Sequence, residues 1–180
     1  MQRRTIVLWS LALAAVGCGR EPPAPAAAPA APPAAANAAA RAAAIRGRSA
    51  TLLSVTGHRD TQGIDATWRG YFDGNELVLL EERRADPPRP PLENRYFYEH
   101  GTLFYFLGEQ PAERAGGAAG PAPRAPLRAE FDGLRAVAAV RIEHYGEVRL
   151  TPAEIATIQK RAAELASAAR DEQSALKVAP

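Results

Sequence analysis

The sequence predicts an α+β fold, in which a single antiparallel β-meander sheet of about six to eight strands packs against one C-terminal α-helix. Three observations support this prediction. Eleven of the twelve aromatic residues lie between Trp68 and Tyr145, which places the core in that segment. Short runs of strand-forming residues are separated there by tight-turn pairs, and residues 151–180 carry an apolar pattern of helical period. A chain of 180 residues is long enough for one such domain.

Two hairpins are the clearest strand signals in the chain. Strand-forming residues stand on both sides of Asp73-Gly74-Asn75 and of His100-Gly101. Glycine and asparagine tolerate the positive φ angles of tight hairpin turns. Residues 71–80 also resemble residues 97–106, at an offset of 26 positions, which favours a meander over a solenoid. The predicted strands are 50–57, 66–72, 76–83, 94–99, 102–107, 127–132, 136–144 and 148–150.

Strand alternation assigns the side chains of these hairpins to two faces if both loops contain two residues, whereas a three-residue loop would mix the sets. In the first hairpin, one face is expected to carry Trp68, Phe72, Leu77 and Leu79, and the other Arg69, Tyr71, Val78 and Leu80. In the second hairpin, one face is expected to carry Arg95, Phe97, Phe104 and Phe106, and the other Tyr96, Tyr98, Leu103, Tyr105 and Leu107.

Three tyrosines of the second hairpin form a candidate binding surface. Tyrosine is enriched at binding surfaces because it combines a large rigid ring with a hydroxyl group. Tyr96, Tyr98 and Tyr105 are expected to lie on one face and to present such a surface. The alternative is that the C-terminal helix covers this face and that the tyrosine hydroxyls reach its edge.

The last element is predicted to be a helix that begins with a capping box. Thr151 and Glu154 stand at the spacing of reciprocal capping partners, and Pro152 occupies the first helical position. Apolar residues then recur every three or four positions, and this stripe is expected to pack across one face of the sheet. The stripe consists of Ile155, Ile158, Ala162, Leu165 and Ala169.

Residues 1–17 are predicted to be a signal peptide, because a basic start is followed by an apolar stretch over residues 6–16. Leu13 to Cys18 resembles the bacterial lipobox, in which small residues precede an acylated cysteine. This resemblance implies cleavage before Cys18 and several acyl chains on that residue, which anchor a protein stably. In such lipoproteins an aspartate after the cysteine retains the protein in the inner membrane. Gly19 therefore implies the outer membrane, with the protein facing the periplasm.

The alternatives for this N-terminal segment are a plain secreted protein with an incidental cysteine and a short buried helix.

Residues 18–46 are predicted to be an alanine- and proline-rich linker, and residues 47–180 the folded domain. Prolines between Pro22 and Pro33 interrupt any helix, and the alanines between them build no core, so we expect a disordered, extended tether. A short helix over 34–45 is expected to be marginal because it lacks a clear apolar face.

Charge and composition exclude several classes of protein. The 22 Lys and Arg residues against 20 Asp and Glu residues become balanced once Arg3 and Arg4 are removed with the signal peptide. A neutral protein lacks the cationic excess that nucleic acid binding requires, so no nucleic acid partner is expected. The single cysteine excludes an internal disulfide framework and a cysteine-rich zinc site. No apolar run reaches the 18 residues of an ordinary transmembrane helix.

The sequence contains no recognisable catalytic or cofactor motif. His58, His100 and His144 each have an acidic residue nearby, but none has the spacing of a metal-binding motif. No nucleophile elbow and no phosphate-binding glycine loop is present. We therefore expect no catalytic residues, no metal and no cofactor. A histidine–glutamate metal site would form only if the two hairpin ends met.

The hairpin over residues 93–107, its copy over 68–80 and the capped terminal helix resemble a group of uncharacterised bacterial lipoproteins. The resemblance covers about residues 64–170 and implies no particular activity. The anchor signal, the tether and the lack of a catalytic motif favour a non-enzymatic envelope lipoprotein that binds another envelope protein or the peptidoglycan. One alternative is a periplasmic inhibitor that inserts the loop 85–91 or 108–126 into a lytic enzyme. Another is a small envelope hydrolase with carboxylate or histidine chemistry at the hairpin ends.

Overall fold

A computed structural model describes residues 33–61, 64–86, 89–111, 124–143 and 145–178. These residues belong to a compact unit that extends from Ala31 to Pro180. No helix in the described ranges is long and apolar enough to cross a membrane. The elements are α1 (Pro33–Gly47), a short 3-10 helix (Ser49–Thr51), β1 (Leu53–Thr61), β2 (Ile64–Asp73), β3 (Glu76–Asp86), β4 (Arg89–Glu99), β5 (Thr102–Pro111), β6 (Arg124–Asp132), β7 (Arg135–Glu143), β8 (Gly146–Arg149) and α2 (Pro152–Val178).

The eight strands form one antiparallel sheet in which each strand pairs with its neighbours along the chain, from β1 to β8. This confirms the predicted meander. Both predicted hairpins have two-residue loops, since Asp73 pairs with Glu76 and Glu99 pairs with Thr102. Gly74, at a φ of 60°, and Gly101, at a φ of 76°, adopt the left-handed conformation that these tight turns require.

A β-bulge in the first hairpin changes the expected side-chain faces. Phe72 pairs with Leu77, but Tyr71 pairs with Leu79, so Val78 is an extra residue in β3. The prediction that Leu79 shares a face with Phe72 and Leu77 is therefore wrong. Beyond the bulge the alternation is reversed, and Leu80 joins Trp68, Phe72 and Leu77 on one face, while Leu79 packs on the other.

The second hairpin has a bulge at the equivalent position, 26 residues later. Tyr98 pairs with Leu103 and Phe97 pairs with Tyr105, which leaves Phe104 as the extra residue. The separation of phenylalanines from tyrosines is therefore wrong beyond the bulge. Tyr105 lies with Phe97 and Phe104, whereas Phe106 lies with Tyr96 and Tyr98. The two similar hairpins therefore also share a β-bulge at the same position.

Helix α2 covers what we call the first face of the sheet. The predicted capping box is present: the Glu154 side chain accepts the Thr151 backbone N–H at 2.7 Å, and the Glu154 N–H donates to the Thr151 hydroxyl at 3.3 Å. The predicted apolar stripe faces the sheet, with Ala162, Leu165 and Ala169 buried. The cluster beneath α2 also contains Val55, Trp68, Phe72, Leu77, Leu80, Tyr96, Tyr98, Phe106, Leu127, Ala129, Phe131 and Leu150.

Helix α1 packs on the opposite face, which we call the second face. The sequence assigned residues up to 46 to the linker and expected at most a marginal helix there. In the structure Ala38 and Ala42 are buried against Phe97 and Phe104, and α1 lies against β3 and β5. The small alanine side chains let the helix backbone approach the aromatic rings closely. The segment from residue 33 onward therefore belongs to the folded unit, and the predicted boundary at residue 47 lies too far along the chain.

Two ion pairs connect α1 and the residue that follows it to turns of the sheet. The Arg41 guanidinium pairs with Glu99 and lies 4.4 Å from the centre of the Phe104 ring. The Arg48 side chain donates to Asp73 at 2.7 Å, directly after the helix. These charges are exposed, so their main contribution is to fix where α1 lies rather than to add much stability.

Candidate functional site

The three tyrosines of the candidate binding surface are buried on two different faces. Tyr96 and Tyr98 lie beneath α2, where the Tyr98 hydroxyl donates to the Ala162 carbonyl at 2.8 Å. Tyr105 lies on the second face, in the cluster that α1 covers. Burial raises the pKa of all three hydroxyl groups above the usual value, so they remain neutral hydrogen-bond donors. The alternative of a helix-covered face therefore describes Tyr96 and Tyr98, and the three residues form no common exposed surface.

Each of the two described histidines lies close to a different carboxylate. The His58 Nδ1 atom is 3.1 Å from an Asp65 carboxylate oxygen, and the His100 Nδ1 atom is 3.5 Å from a Glu76 carboxylate oxygen. Successive turns of a meander alternate between the two ends of the sheet, so the β4–β5 turn with His100 lies opposite the β7–β8 turn. His144 and Cys18 lie outside the described residues. Within the described ranges, no cluster of three or more His, Cys, Asp or Glu residues could hold a metal ion.

The first of the two loops that the inhibitor hypothesis requires is mostly strand. Strand β3 continues to Asp86 and β4 begins at Arg89, so little of the predicted loop 85–91 remains outside the sheet. In the second loop, β5 continues to Pro111 and β6 begins at Arg124. Residues 112–123 lie outside the described residues.

An open concavity of about 610 Å³ crosses strands β1 to β4 on the second face. We call it the charged trough. Its floor is the backbone of a central cross-strand row, because the side chains of that row belong to the first face. Its walls are the side chains of the two flanking rows. The central row is Gly57, Trp68, Glu82 and Asn94, and the flanking rows are Thr56, Arg69, Glu81 and Arg95, and His58, Thr67, Arg83 and Glu93.

Opposite charges alternate along the walls of the charged trough. Glu81 accepts hydrogen bonds from the Tyr71 hydroxyl at 2.9 Å and from the Arg95 guanidinium at 3.2 Å. Arg95 also lies 3.6 Å from Glu93, which links the two walls. Partial burial and the neighbouring Glu81 raise the pKa of Tyr71, so its hydroxyl stays protonated and keeps donating. Cross-strand charge pairs of this kind stabilise a sheet only modestly. Their larger effect is to hold polar groups in fixed positions along the trough.

A buried carboxylate lies on the opposite side of the sheet from this trough. The Glu82 side chain is 0% exposed. One of its oxygens accepts two bonds from the Arg161 guanidinium, at 2.6 and 2.8 Å. The other accepts the Tyr96 hydroxyl at 2.9 Å and the Asn94 amide at 3.1 Å. The carboxylate is fully engaged in bonds that join α2 to the sheet, so the geometry assigns it a role in positioning the helix.

The charged run from Glu81 to Arg84 is typical of a solvated strand end, and it gives no direct indication that Glu82 is buried. Strand alternation indicates in part that one glutamate is buried, because two consecutive glutamates in a strand must point to opposite faces of the sheet. Nothing local in the sequence shows that Arg161, far along the chain, reaches the inner one of the two.

No known protein family, no curated protein and no solved structure matches this chain.

Proposed function

We propose that the protein is a lipid-anchored envelope protein whose folded domain is a non-enzymatic binding module. Acyl chains on Cys18 hold it at the outer membrane, facing the periplasm, and the folded domain binds another envelope protein or the peptidoglycan. The lipobox-like sequence from Leu13 to Cys18 and the glycine at position 19 support the anchor. We also propose that the protein is related to the uncharacterised bacterial lipoproteins that its sequence resembles.

The charged trough is the observation that carries the binding role. The candidate tyrosine surface is not exposed, because Tyr96, Tyr98 and Tyr105 are buried. Recognition in the charged trough therefore depends on polar contacts. The trough volume of about 610 Å³ lies within the range of ligand-binding clefts. Because the trough crosses four strands and is open, an extended chain could lie along it.

The charges in the trough define the chemistry of its occupant. Arg69 and Arg83 present planar guanidinium groups that can pair with carboxylates of a partner. Glu81 and Glu93, which both lie beside Arg95, have oxygen atoms that can also accept from amines. A complementary partner therefore carries both carboxylate and amino groups at short intervals. A surface segment of a protein and the peptides of the cell wall both have this character.

Charge reversal in the trough tests this binding role. The chain from residue 18 onward, with Cys18→Ser so that no detergent is needed, would be incubated with purified cell-wall sacculi and sedimented. In parallel, a photo-crosslinking residue at Thr67, an exposed position in the trough, would be activated in intact cells. We expect Arg69→Glu combined with Arg83→Glu to weaken retention or crosslinking by about tenfold or more, since two favourable charge contacts become repulsive.

The matched control is Arg135→Glu combined with Arg149→Glu, which makes the same charge change at exposed positions outside the trough. It should bind like the unmodified chain, and circular dichroism should show that both double variants are folded. Loss of sacculus binding identifies the cell wall as the partner, and loss of a specific crosslink identifies a protein. Unchanged behaviour of the trough variant in both assays would contradict the proposed binding role.

A further inference from the structure

A second cavity lies on the first face of the sheet, beneath the N-terminal half of α2. Its volume is about 240 Å³, and we call it the helix cavity. One part of its wall is apolar and is formed by Phe106, Leu127, Leu150 and Ile158. Leu127 and Leu150 are themselves buried in the cluster beneath α2. The cavity therefore offers an apolar contact surface to an apolar group of matching size.

Most charged side chains that line the helix cavity have partners of opposite charge. Arg161 pairs with Glu82 at 2.6 Å, Glu154 pairs with Arg141 at 2.8 Å, and Glu109 pairs with Arg124 at 2.6 Å. These pairs leave no net charge at the wall. They also mean that the two acidic side chains are already neutralised by arginines of the protein.

Arg84 differs from the other charged groups of this wall. It lies on β3, half-buried, and lines the cavity beside Leu92 on β4. In the part of the chain that the structure describes, Arg84 has no carboxylate partner. A half-buried guanidinium without an anion is incompletely compensated, since burial removes part of its hydration. The side chain next to this apolar wall is therefore suited to receive a negative charge.

We propose that the helix cavity binds a small amphipathic monocarboxylate, with its carboxylate on Arg84 and its apolar part against Phe106, Leu127, Leu150 and Ile158. Arginine recognises a carboxylate through two parallel N–H donors, which fixes the orientation of the ligand at the entrance. The apolar part then gains the free energy of leaving water. No covalent step is involved.

The volume of the cavity limits the length of the ligand. A dry cavity of about 150 Å³ accommodates benzene, which has six non-hydrogen atoms. By the same proportion, 240 Å³ accommodates roughly ten, which corresponds to a carboxylate with about eight carbons. Butyrate would leave much of the apolar wall uncovered, and hexadecanoate would not fit within the cavity.

This proposal does not depend on the proposed function. The helix cavity and the charged trough lie on opposite faces of the sheet, and Arg84 does not line the trough. Failure of the trough variants to affect envelope binding would leave the monocarboxylate site untouched, and the converse also holds.

The test measures octanoate binding to the chain from residue 18 onward with Cys18→Ser, by titration calorimetry and by methyl NMR. We expect shifts at Leu127, Leu150 and Ile158. Octanoate should bind at least tenfold more tightly than 1-octanol or octylammonium, which have the same chain without the negative charge. Butyrate and hexadecanoate should both bind more weakly than octanoate.

Substitutions then test whether Arg84 binds the carboxylate of octanoate. Arg84→Gln should weaken octanoate binding at least tenfold. Arg84→Lys, which keeps the positive charge but loses the paired donors, should weaken it less than Arg84→Gln does. Arg135→Gln, an exposed arginine at the far end of β7, is the control and should bind like the unmodified chain. Equal affinity for octanol and octanoate, no effect of Arg84→Gln, shifts confined to another part of the protein, or no octanoate binding would each overturn the proposal.

Discussion

Glu82 illustrates how a single residue connects the two layers of this protein. A buried carboxylate is costly to remove from water, and it is tolerated here because four donors from three residues satisfy both oxygens. Two of those donors come from Arg161 on α2, so the carboxylate fixes the helix at one position along β3. Burial and the negative charge of Glu82 hold the pKa of Tyr96 well above its usual range, which keeps this donor protonated at any physiological pH.

Removal of the Arg161 side chain is expected to destabilise the protein strongly. Arg161→Ala leaves the Glu82 carboxylate buried without its main counter-charge, and a loss of this kind costs about 3–5 kcal/mol. Urea unfolding followed by circular dichroism would measure the change in the free energy of unfolding. The control is Arg59→Ala, because Arg59 pairs with Glu164 of α2 at 3.7 Å while more than half exposed, and its loss should cost at most about 1 kcal/mol. Equal effects of the two variants would show that water reaches Glu82.

At the scale of elements, α1 and α2 are attached to the sheet by different means. Helix α2 contributes a long apolar stripe, a capping box and the Glu82–Arg161 bond. Helix α1 contributes two small buried alanines, Ala38 and Ala42, the partly buried Ile45 and exposed ion pairs. A helix attached by so little apolar surface gains limited stability from its packing. We therefore expect α1 to open independently of the rest of the sheet.

Substitution of the α1 contact tests this independence. Ala42→Glu places a charged side chain where a 2% exposed alanine meets the aromatic cluster, so α1 should detach. Hydrogen exchange should then show loss of amide protection over α1, while β2 to β6 and α2 stay protected. Ala43→Glu makes the same change at an exposed position of the same helix and should leave α1 protected. Simultaneous loss of protection throughout the sheet would contradict independent opening.

The sequence predicted those elements whose signals are local. The glycines of the two hairpin turns and the Thr151–Glu154 box act within four residues, and both were located correctly. The bulges at Val78 and Phe104 were missed because apolar residues on both sides of the strand fit either register. The docking of α1 was missed for a related reason. An alanine-rich helix carries no stripe that reveals a partner, and its contacts with Phe97 and Phe104 are distant in sequence.

At the scale of the whole molecule, both faces of the sheet carry a helix, but the coverage is uneven. Helix α2 contacts β1, β2 and β3 on the first face and packs on the apolar cluster beneath it. Helix α1 contacts mainly β3 and β5 on the second face. The charged trough occupies part of the second face that α1 leaves open, and the helix cavity lies beneath α2. The two proposed sites are thus separated by the sheet.

The proposed membrane anchor is tested by fractionation of cells. Cys18→Ser is expected to abolish acylation and to release the protein from the membrane fraction, because the remaining chain contains no other predicted anchor. Mass spectrometry of the N-terminal peptide would check the modification directly. Gly19→Asp is the matched variant, and it should keep the acyl chains but move the protein to the inner membrane. Membrane association of the Cys18→Ser protein would show that another attachment exists.

Trp68 provides a built-in optical signal for the seating of α2. Its ring packs so closely on the backbone that an added Cβ atom at Gly57 would lie only 2.1 Å from it, and it belongs to the cluster beneath the helix. Cleavage before Cys18 would remove Trp9, which leaves Trp68 as the sole indole fluorophore of the mature chain. Its emission would therefore shift to longer wavelength when α2 lifts from the sheet and water reaches the ring. The intrinsic fluorescence of the protein thus reports one helix–sheet contact without any label.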